Sequence, residues 1–396
     1  MAGTGDLPRH HDGGSHDARF QAVILSGVRT PIGSLGGALA SAPAPELGSI
    51  SIREALERAG VAPEEVDEVI LGNVLGAGVG QNPARQASLG AALPASVGAT
   101  TVNKVCGSGL KAVMMADQAI RLGEAGVVVA GGMESMSQAP YLLPKARQGY
   151  RMGHGELVDA IIHDGLWDVY GNQHMGVYGD RCAVKCGFTK KDQDDFAVRS
   201  YTRAQKAMAE GVFAEEIVPV AIQEKRQSTL VGEDEEPARF VEEKLRGLRP
   251  AFGAEGTVTA GNASSISDGA AALVLASESR SESLPARPLA RVVGAATFSR
   301  EPEWFTLAPI GAIKKLMEKV GWDIQSVDLF EINEAFAAVT MAAERELNIP
   351  AEKVNIYGGA VALGHPIGCS GARILVTLLT ALKRTGARRG IASLCI

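Results

Sequence analysis

The chain has 396 residues, a formal net charge of −6, and 46% hydrophobic but only 5% aromatic residues. This length predicts two or three domains, and the acidic balance gives no indication of nucleic-acid binding. No apolar run approaches the roughly 18 residues of a membrane span. The five cysteines are scattered and odd in number, which argues against a disulfide framework and predicts a reducing, cytoplasmic location.

Residues 1–19 are polar and glycine-rich and contain no apolar segment of the kind found in secretory signals. Three aspartates in this stretch also speak against a mitochondrial presequence. His10, His11 and His16 could bind a metal, but we predict a disordered N-terminal tail.

The remaining sequence contains the same order of elements twice. The predicted strand, helix and strand of the first copy are Ala22–Ser26, Leu47–Ala59 and Val66–Leu71, and those of the second are Ala290–Gly294, Ile310–Val320 and Val327–Ile332. Three residues of the first copy recur 261 positions later: Gly60, Val66 and Asp67 as Gly321, Val327 and Asp328. The pair Ser108-Gly109, which precedes a predicted helix and an apolar strand, recurs 262 positions later as Ser370-Gly371. We therefore predict two homologous α/β halves whose sheets are covered on both faces, 20–136 plus 264–288 and 289–396.

An insert at 137–263 separates the two halves. It contains Pro, Gly and Tyr residues that interrupt regular structure, a polar helix near Lys190–Glu210 and an acidic run at Glu233–Glu236. Long insertions on a compact scaffold usually carry binding surfaces, and we expect this one to do so.

Cys106 lies in the segment Val102–Gly109, between a β-prone run and the predicted helix Leu110–Arg121. A cysteine at a helix N-terminus is favoured as a thiolate by the helix dipole. The glycines around it would let a substrate approach the sulfur and let backbone N–H groups face it. A small buried structural cysteine is the alternative interpretation.

Two further segments carry candidate chemistry. Asn333–Phe336 directly follows a predicted strand, a position typical of ligand crevices in α/β proteins. His365 lies in the glycine-dense loop Gly364–Gly371, which makes it a candidate base. Cys182 and Cys186 are four residues apart but have no matching His/Cys pair nearby, so we predict no metal site.

Taken together, these segments resemble the thiolase family, specifically its acetyl-CoA acetyltransferase branch. The matching motifs are Val102–Gly109, Asn73–Gln86, Gly131–Met136, Gly171–Gly176, Val258–Ser264, Asn333–Phe336, Gly364–Gly371 and Ser393–Cys395. The resemblance implies a five-layer αβαβα duplication, in agreement with the repeat. It also implies that the insert 137–263 is a loop domain that holds coenzyme A and builds a homotetramer.

The resemblance implies a reversible Claisen condensation of two acetyl-CoA to acetoacetyl-CoA and CoA, or thiolysis of a 3-ketoacyl-CoA, through an acyl-cysteine. Cys106 corresponds to the nucleophile and His365 to the histidine that activates it. Asn333 corresponds to the residue that holds an oxyanion-hole water, and Cys395 to the second cysteine, the acid/base. Coenzyme A thioesters are then substrates, and no separate cofactor is implied.

The same resemblance assigns a binding role to four residues. Ser264 corresponds to a pantetheine contact, and His174 and Met175 match the loop that lines the acyl pocket. Phe305 falls where the family has a pocket-lining methionine.

Two alternatives remain beside the thiolase interpretation. The family continues past the second cysteine with a Gly-rich loop and a final strand, which this sequence, ending at Ile396, lacks. A truncated thiolase-like acyl- or lipid-binding protein with little turnover is therefore one alternative. A decarboxylating ketosynthase is the other, but it would need two histidines where Asn333 and Cys395 stand.

Overall fold

The computed structural model describes residues 20–224 and 227–396, so the predicted disordered tail lies outside the described residues. The strands are β1 Ala22–Arg29, β2 Gly33–Ser34, β3 Glu68–Gly72, β4 Gly98–Val102, β5 Val127–Ser135, β6 Tyr141–Leu142, β7 Val158–Asp159, β8 Trp167–Asp168, β9 Gln173–His174, β10 Val220–Glu224, β11 Gln227–Val231, β12 Ser267–Ser277, β13 Ala290–Arg291, β14 Leu329–Ile332 and β15 Gly390–Ser393. The helices are α1 Ala44–Ala59, α2 Pro83–Gly90, α3 Ser108–Arg121, α4 Met175–Cys186, α5 Lys190–Ala209, α6 Glu242–Arg246, α7 Glu278–Ser281, α8 Ala308–Val320, α9 Ala337–Glu346, α10 Ala360–Leu363 and α11 Ile367–Thr385.

The larger sheet has the strand order β13-β1-β12-β5-β3-β4, with β2 added beside β12. Strands β3, β4 and β5 are parallel, whereas β12 runs antiparallel to both β1 and β5. Every residue of β5 and β12 is buried, as expected for strands covered on both faces.

The helices complete five layers. Helix α1 covers one face of the larger sheet, with α2 beside it, and α3 and α11 cover the other face. Helix α11 also packs against the parallel pair β14–β15 on its far side, so it lies between two sheets. The last layer is α8 and α9, whose apolar side chains share one cluster with those of β14 and β15. The predicted αβαβα arrangement is therefore confirmed.

The repeated residues have the same structural role in both halves. Helix α1 ends at Gly60 with φ 60°, and α8 ends at Gly321 with φ 67°, a left-handed conformation that favours glycine. Asp67 then accepts hydrogen bonds from the backbone N–H groups of residues 126 and 127 at the start of β5. Asp328 likewise accepts from those of residues 388 and 389, just before β15.

One predicted strand differs from the structure. The sequence predicts Ala290–Gly294 as the first strand of the second half, but β13 covers only Ala290–Arg291. It pairs with Val23 and Ile24 of β1 in the larger sheet. The edge of β1 is available there, so the second half contributes a strand to the sheet of the first. The boundary between the halves near residue 288 is otherwise still a prediction.

Candidate active site

The candidate residues converge where two parallel strands end. Strand β14 stops at Ile332, directly before Asn333, and β15 stops at Ser393, two residues before Cys395. Because β14 and β15 are parallel, Asn333 and Cys395 leave the sheet at the same edge. The N-terminal ends of α3 and α11 bring the Cys106 and His365 loops to the same region, where Cys106 packs in one cluster with Ile367.

The loop before Cys106 is fixed by its own backbone and by Ser108. The Ser108 hydroxyl accepts from the Lys104 N–H at 2.8 Å and donates to the Val105 carbonyl at 2.6 Å. Val105 has φ 46°, which is strained for a β-branched residue. This tight turn leaves Cys106 half-buried, against the side chains of Val74 and Leu75.

The free Cys106 is a thiol, so the expected thiolate is wrong for the unliganded protein. Burial raises the pKa of Cys106 to about 12. Helix α3 begins only at Ser108, with Gly107 as its N-cap, so Cys106 precedes the helix. A helix dipole acts mainly within the first turn, and the cost of burying the charged sulfur is larger here.

His365 is a buried, neutral imidazole whose tautomer follows from its partners. The Ser370 hydroxyl donates to the Pro366 carbonyl at 2.9 Å, so it accepts from Nδ1–H of His365 at 2.5 Å. Nε2 is therefore the unprotonated nitrogen, and its lone pair accepts a long hydrogen bond of 3.4 Å from Nδ2 of Asn333. Burial, and to a smaller extent the charge of Arg373, lower the pKa of His365 to about 3. Its Nε2 is thus available as a base.

Cys395 is fully buried, in an apolar cluster that includes Phe336, Met175 and Phe305. Burial raises the pKa of Cys395 well above the ordinary thiol value, and the charge of an ionised Cys106 raises it further. Cys395 and Cys106 therefore interact electrostatically. Oδ1 of Asn333 is buried and has no hydrogen-bond partner among the described residues.

The predicted binding residues lie on the insert side of this region. Ser264 is tied to the segment after Asn333, because its N–H and its hydroxyl both donate to the Ala335 carbonyl, at 3.1 and 3.0 Å. His174 stacks on Phe252 with ring centroids 4.6 Å apart, and its Nδ1 accepts from the N–H of Gly176 at 3.0 Å. These contacts form a wall beside the second-half loops, made of insert residues and of Ser264 directly after the insert.

Phe305 and Met175 both pack against the Cys395 cluster, and their place in an acyl pocket stays a prediction. Phe305 belongs to the 3-10 helix Pro302–Leu307 and meets Tyr178 edge-on, with ring centroids 6.4 Å apart. An aromatic ring therefore occupies space close to the second sulfur.

Three further residues lie in segments that the sequence singled out, but they were given no individual role there. Ser370 fixes the tautomer of His365; the repeat of Ser108-Gly109 as Ser370-Gly371 was the signal that could have found it. Glu134 is an acid in an otherwise apolar, fully buried strand, which is itself a signal. Glu334 accepts hydrogen bonds from Ser200, Asn355 and the Val361 N–H and so joins α5 to the end of β14.

The arrangement can carry out acyl transfer and proton transfer together. It combines a half-buried thiol, a neutral imidazole with an unprotonated Nε2, a second buried thiol and an amide whose Nδ2 donates to that nitrogen. In the part of the chain that the structure describes, no group of three or more His, Cys, Asp or Glu side chains could hold a metal ion. None of the described helices is long and apolar enough to cross a membrane.

Comparison with known proteins gives a consistent result over nearly the whole chain. Residues 22–279 match the family described as thiolase, N-terminal domain, and residues 286–396 match thiolase, C-terminal domain. An acetyl-CoA acetyltransferase of Cupriavidus necator is 51% identical over 376 residues, 94% of this chain and 96% of its own length. Acetyl-CoA acetyltransferase 2 of Arabidopsis thaliana is 53% identical over 377 residues, 94% of each chain. The crystal structure of the Bacillus anthracis acetyl-CoA acetyltransferase superposes with a TM-score of 0.93 at 46% identity, covering 95% of both chains.

Proposed function

The chain belongs to the thiolase family, and we propose that it is an acetyl-CoA acetyltransferase that condenses two acetyl-CoA to acetoacetyl-CoA and CoA, reversibly. The similarity to acetyltransferases of this name over about 94% of the chain supports the substrate. The observation that carries the chemistry is the neutral His365, whose Nε2 is the unprotonated ring nitrogen and lies in the same site as two thiols.

In the first half-reaction, Cys106 takes the acetyl group. The Cys106 sulfur attacks the thioester carbon of acetyl-CoA while Nε2 of His365 accepts the thiol proton. The tetrahedral intermediate collapses with loss of the CoA sulfur, to which the imidazolium returns the proton. A sulfur nucleophile suits this exchange because it is also a good leaving group. Because Cys106 is a thiol and His365 a neutral imidazole in the free protein, the proton moves from the Cys106 sulfur to Nε2 during the attack.

In the second half-reaction, Cys395 acts as the acid/base. Cys395 passes its thiol proton to Nε2 of His365, and the resulting thiolate removes a proton from the methyl carbon of the second acetyl-CoA. The enolate then attacks the acetyl-Cys106 carbonyl, and the imidazolium returns its proton to the Cys106 sulfur when that sulfur leaves. Collapse of that intermediate releases acetoacetyl-CoA and the Cys106 sulfur. Asn333 supports the enolate oxygen through a bound water. Its Nδ2 is directed at His365, which supports a role in this site.

A short acyl group suits the observed surroundings of Cys395. Phe305, Phe336 and Met175 pack in the cluster that contains this sulfur, which favours a short acyl group over a long chain. Coenzyme A lies against the wall that includes Ser264 and His174. The reaction balances with coenzyme A thioesters alone, so the proposal includes no separate cofactor.

The proposal extends to assembly and location. The insert exposes large apolar side chains, among them Met152, Tyr170 and Tyr141, which favours burial against further copies in a homotetramer. All five cysteines are free, which is typical of the cytoplasm and favours that compartment.

A thiolysis assay tests the proposed function. Acetoacetyl-CoA and CoA should give acetyl-CoA with a rate that exceeds thiolysis of a longer 3-ketoacyl-CoA, and Cys106→Ala should abolish both. Binding of acyl-CoA without turnover would contradict the proposal and support a carrier. Decarboxylation of a malonyl thioester as the faster reaction would instead support a ketosynthase.

A further inference from the structure

Glu134 has the most densely hydrogen-bonded carboxylate near the active site. It lies near the end of β5 and is completely buried. One oxygen accepts from Nδ2 of Asn73 at 2.7 Å and from the Leu75 N–H at 3.1 Å. The other accepts from the Val74 N–H at 2.9 Å and from the Gly368 N–H at 2.9 Å. Four donors from two separate segments thus converge on one side chain.

Both segments touch the reacting groups. Val74 and Leu75 pack in the cluster that contains Cys106, together with Ile367. Gly368 lies in the first turn of α11, two residues before the Ser370 that holds His365. A Cβ at Gly368 would come within 2.8 Å of the Glu134 carboxylate, so this contact needs glycine.

We propose that Glu134 is a positioning residue. It holds the segment Asn73–Leu75, which packs against Cys106, in a fixed position relative to the His365 loop. Without it, the first turn of α11 is free to shift relative to the segment Asn73–Leu75. The inference rests on the proposed function, since it assigns Glu134 to the same reaction. Glu134 itself touches neither substrate nor the reacting atoms.

The ionised carboxylate is the form that accepts all four bonds. Burial raises the pKa of Glu134 to about 7, while the backbone N–H bonds from residues 74, 75 and 368 oppose this and Asp268 adds to it. Asp268 on β12 and Cys369 on α11 are the titratable groups that interact with it. Protonation puts an O–H against one of the donors, so turnover should fall modestly, to about the level of Glu134→Gln, as pH drops below about 7. This acid limb should disappear in Glu134→Gln.

The chain offers a sharp pair of variants. In Glu134→Gln the amide oxygen can keep the Val74 and Gly368 bonds, while its NH₂ faces two donors, Nδ2 of Asn73 and the Leu75 N–H, and loses the bond to the latter. Oδ1 of Asn73 has no partner among the described residues, so Asn73 can turn its amide and accept, at the loss of its 3.3 Å bond to the Met133 carbonyl. In the double variant, Asn73→Leu removes that compensation. As a single variant, Asn73→Leu removes one of the four donors to Glu134.

We therefore expect each single variant to lower kcat modestly and the double variant Glu134→Gln/Asn73→Leu to lower it by about 10²-fold, the effect of a small misplacement of reacting groups. The excess over the product of the single effects should be about 10-fold or more, as for directly interacting residues. KM for the CoA thioester should stay unchanged, because Ser264 and His174 lie on other elements.

Hydrogen exchange gives a readout independent of turnover. Glu134→Ala should speed exchange of the Gly368 amide, measured in full-length protein by mass spectrometry of peptides spanning 364–370. Asp67→Ala is the matched control, because Asp67 accepts two backbone N–H bonds at the opposite end of β5. It should leave both Gly368 exchange and kcat unchanged.

Unaltered Gly368 exchange in Glu134→Ala would overturn the inference, and so would a double variant whose effect is only the product of the singles. If Glu134→Ala does not fold, the Gln and Leu variants still decide the question. A wild-type protein without thiolysis would refute the proposed function instead, and the exchange measurement separates that outcome from this one.

Discussion

In the free protein, the site contains Cys106 as a thiol and His365 as a neutral imidazole. Burial accounts for both states, since it raises the pKa of Cys106 and lowers that of His365. The substrate is therefore needed to draw the proton from sulfur to Nε2. This arrangement protects Cys106 from reagents that react with thiolates.

The neutral Cys106 predicts a characteristic alkylation profile. With a pKa of about 12, the reactive thiolate fraction rises with pH throughout the range 6 to 9. The rate of Cys106 alkylation by iodoacetamide should therefore increase about tenfold per pH unit without a plateau. The measurement is peptide mapping after timed alkylation, with Cys106→Ala as the blank. A plateau beginning near pH 7 would show a stabilised thiolate and contradict the neutral pair.

Replacing Cys395 with Ser should separate the two half-reactions. Cys106 and His365 remain intact, so acyl-enzyme formation should proceed at a rate near that of the wild type. A serine hydroxyl is a much weaker acid than a thiol and cannot supply a comparable base. Condensation should drop by about 10²–10⁴-fold, the usual contribution of a placed base.

Burst kinetics measure the two steps separately, with Cys369→Ser as a control for a buried thiol of the same region. Loss of the burst in Cys395→Ser, as complete as in Cys106→Ala, would refute the division of roles between the two cysteines.

Among the elements, the turn that carries Cys106 stores strain. Val105 adopts φ 46° although it is β-branched, and its side chain is 37% exposed, so little apolar burial offsets the strain. A left-handed conformation costs about 1–2 kcal/mol for an ordinary residue, and Asn tolerates it better. Val105→Asn should therefore raise the free energy of unfolding by up to about 1 kcal/mol.

The check for Val105→Asn is the denaturant midpoint at constant m-value. Ala92, at φ 64° and outside the site, supplies the parallel variant Ala92→Gly, for which a small gain is also expected. A lower stability of Val105→Asn would show that the side chain of Val105 contributes more than its backbone costs.

The elements were predictable where a local signal controls them. Gly60 and Gly321 marked the ends of α1 and α8 because a left-handed residue must follow the last turn. Strand β13 was not predictable in this way, since its partner is decided by which sheet edge is free in three dimensions. The protonation state of Cys106 was also missed, because burial depends on packing from Val74, Leu75 and Ile367, which no local pattern reveals.

Across the whole molecule, equivalent positions of the two halves take different tasks. Asn73 follows β3 and Asn333 follows β14, 260 residues apart. Asn73 donates to Glu134 and supports the scaffold, whereas Asn333 donates to His365 in the site. Ser108 and Ser370 each bind the loop before their helix, but only Ser370 holds an imidazole. Duplication explains the scaffold, and divergence at these positions explains the chemistry.

Assembly should depend on the exposed apolar surface of the insert. Tyr170 is 83% exposed, and Tyr170→Asp would place a charge in the proposed interface. Sedimentation should show the wild type at four times the 41.3 kDa of one chain and the variant as a smaller species. Leu122→Asp, at an equally exposed position at the end of α3, should leave the assembly intact. A wild type that sediments only as a single chain would exclude the tetramer.

The central claim is that Cys106 carries the acetyl group between two molecules of coenzyme A. The most direct measurement is tandem mass spectrometry of the protein after incubation with carbon-13-labelled acetyl-CoA, followed by a chase with unlabelled acetyl-CoA. The account predicts one labelled acetyl group on Cys106 that disappears in the chase and emerges in acetoacetyl-CoA. A label on Cys395 or Cys369 with none on Cys106, or a label on Cys106 that the chase does not remove, would contradict it.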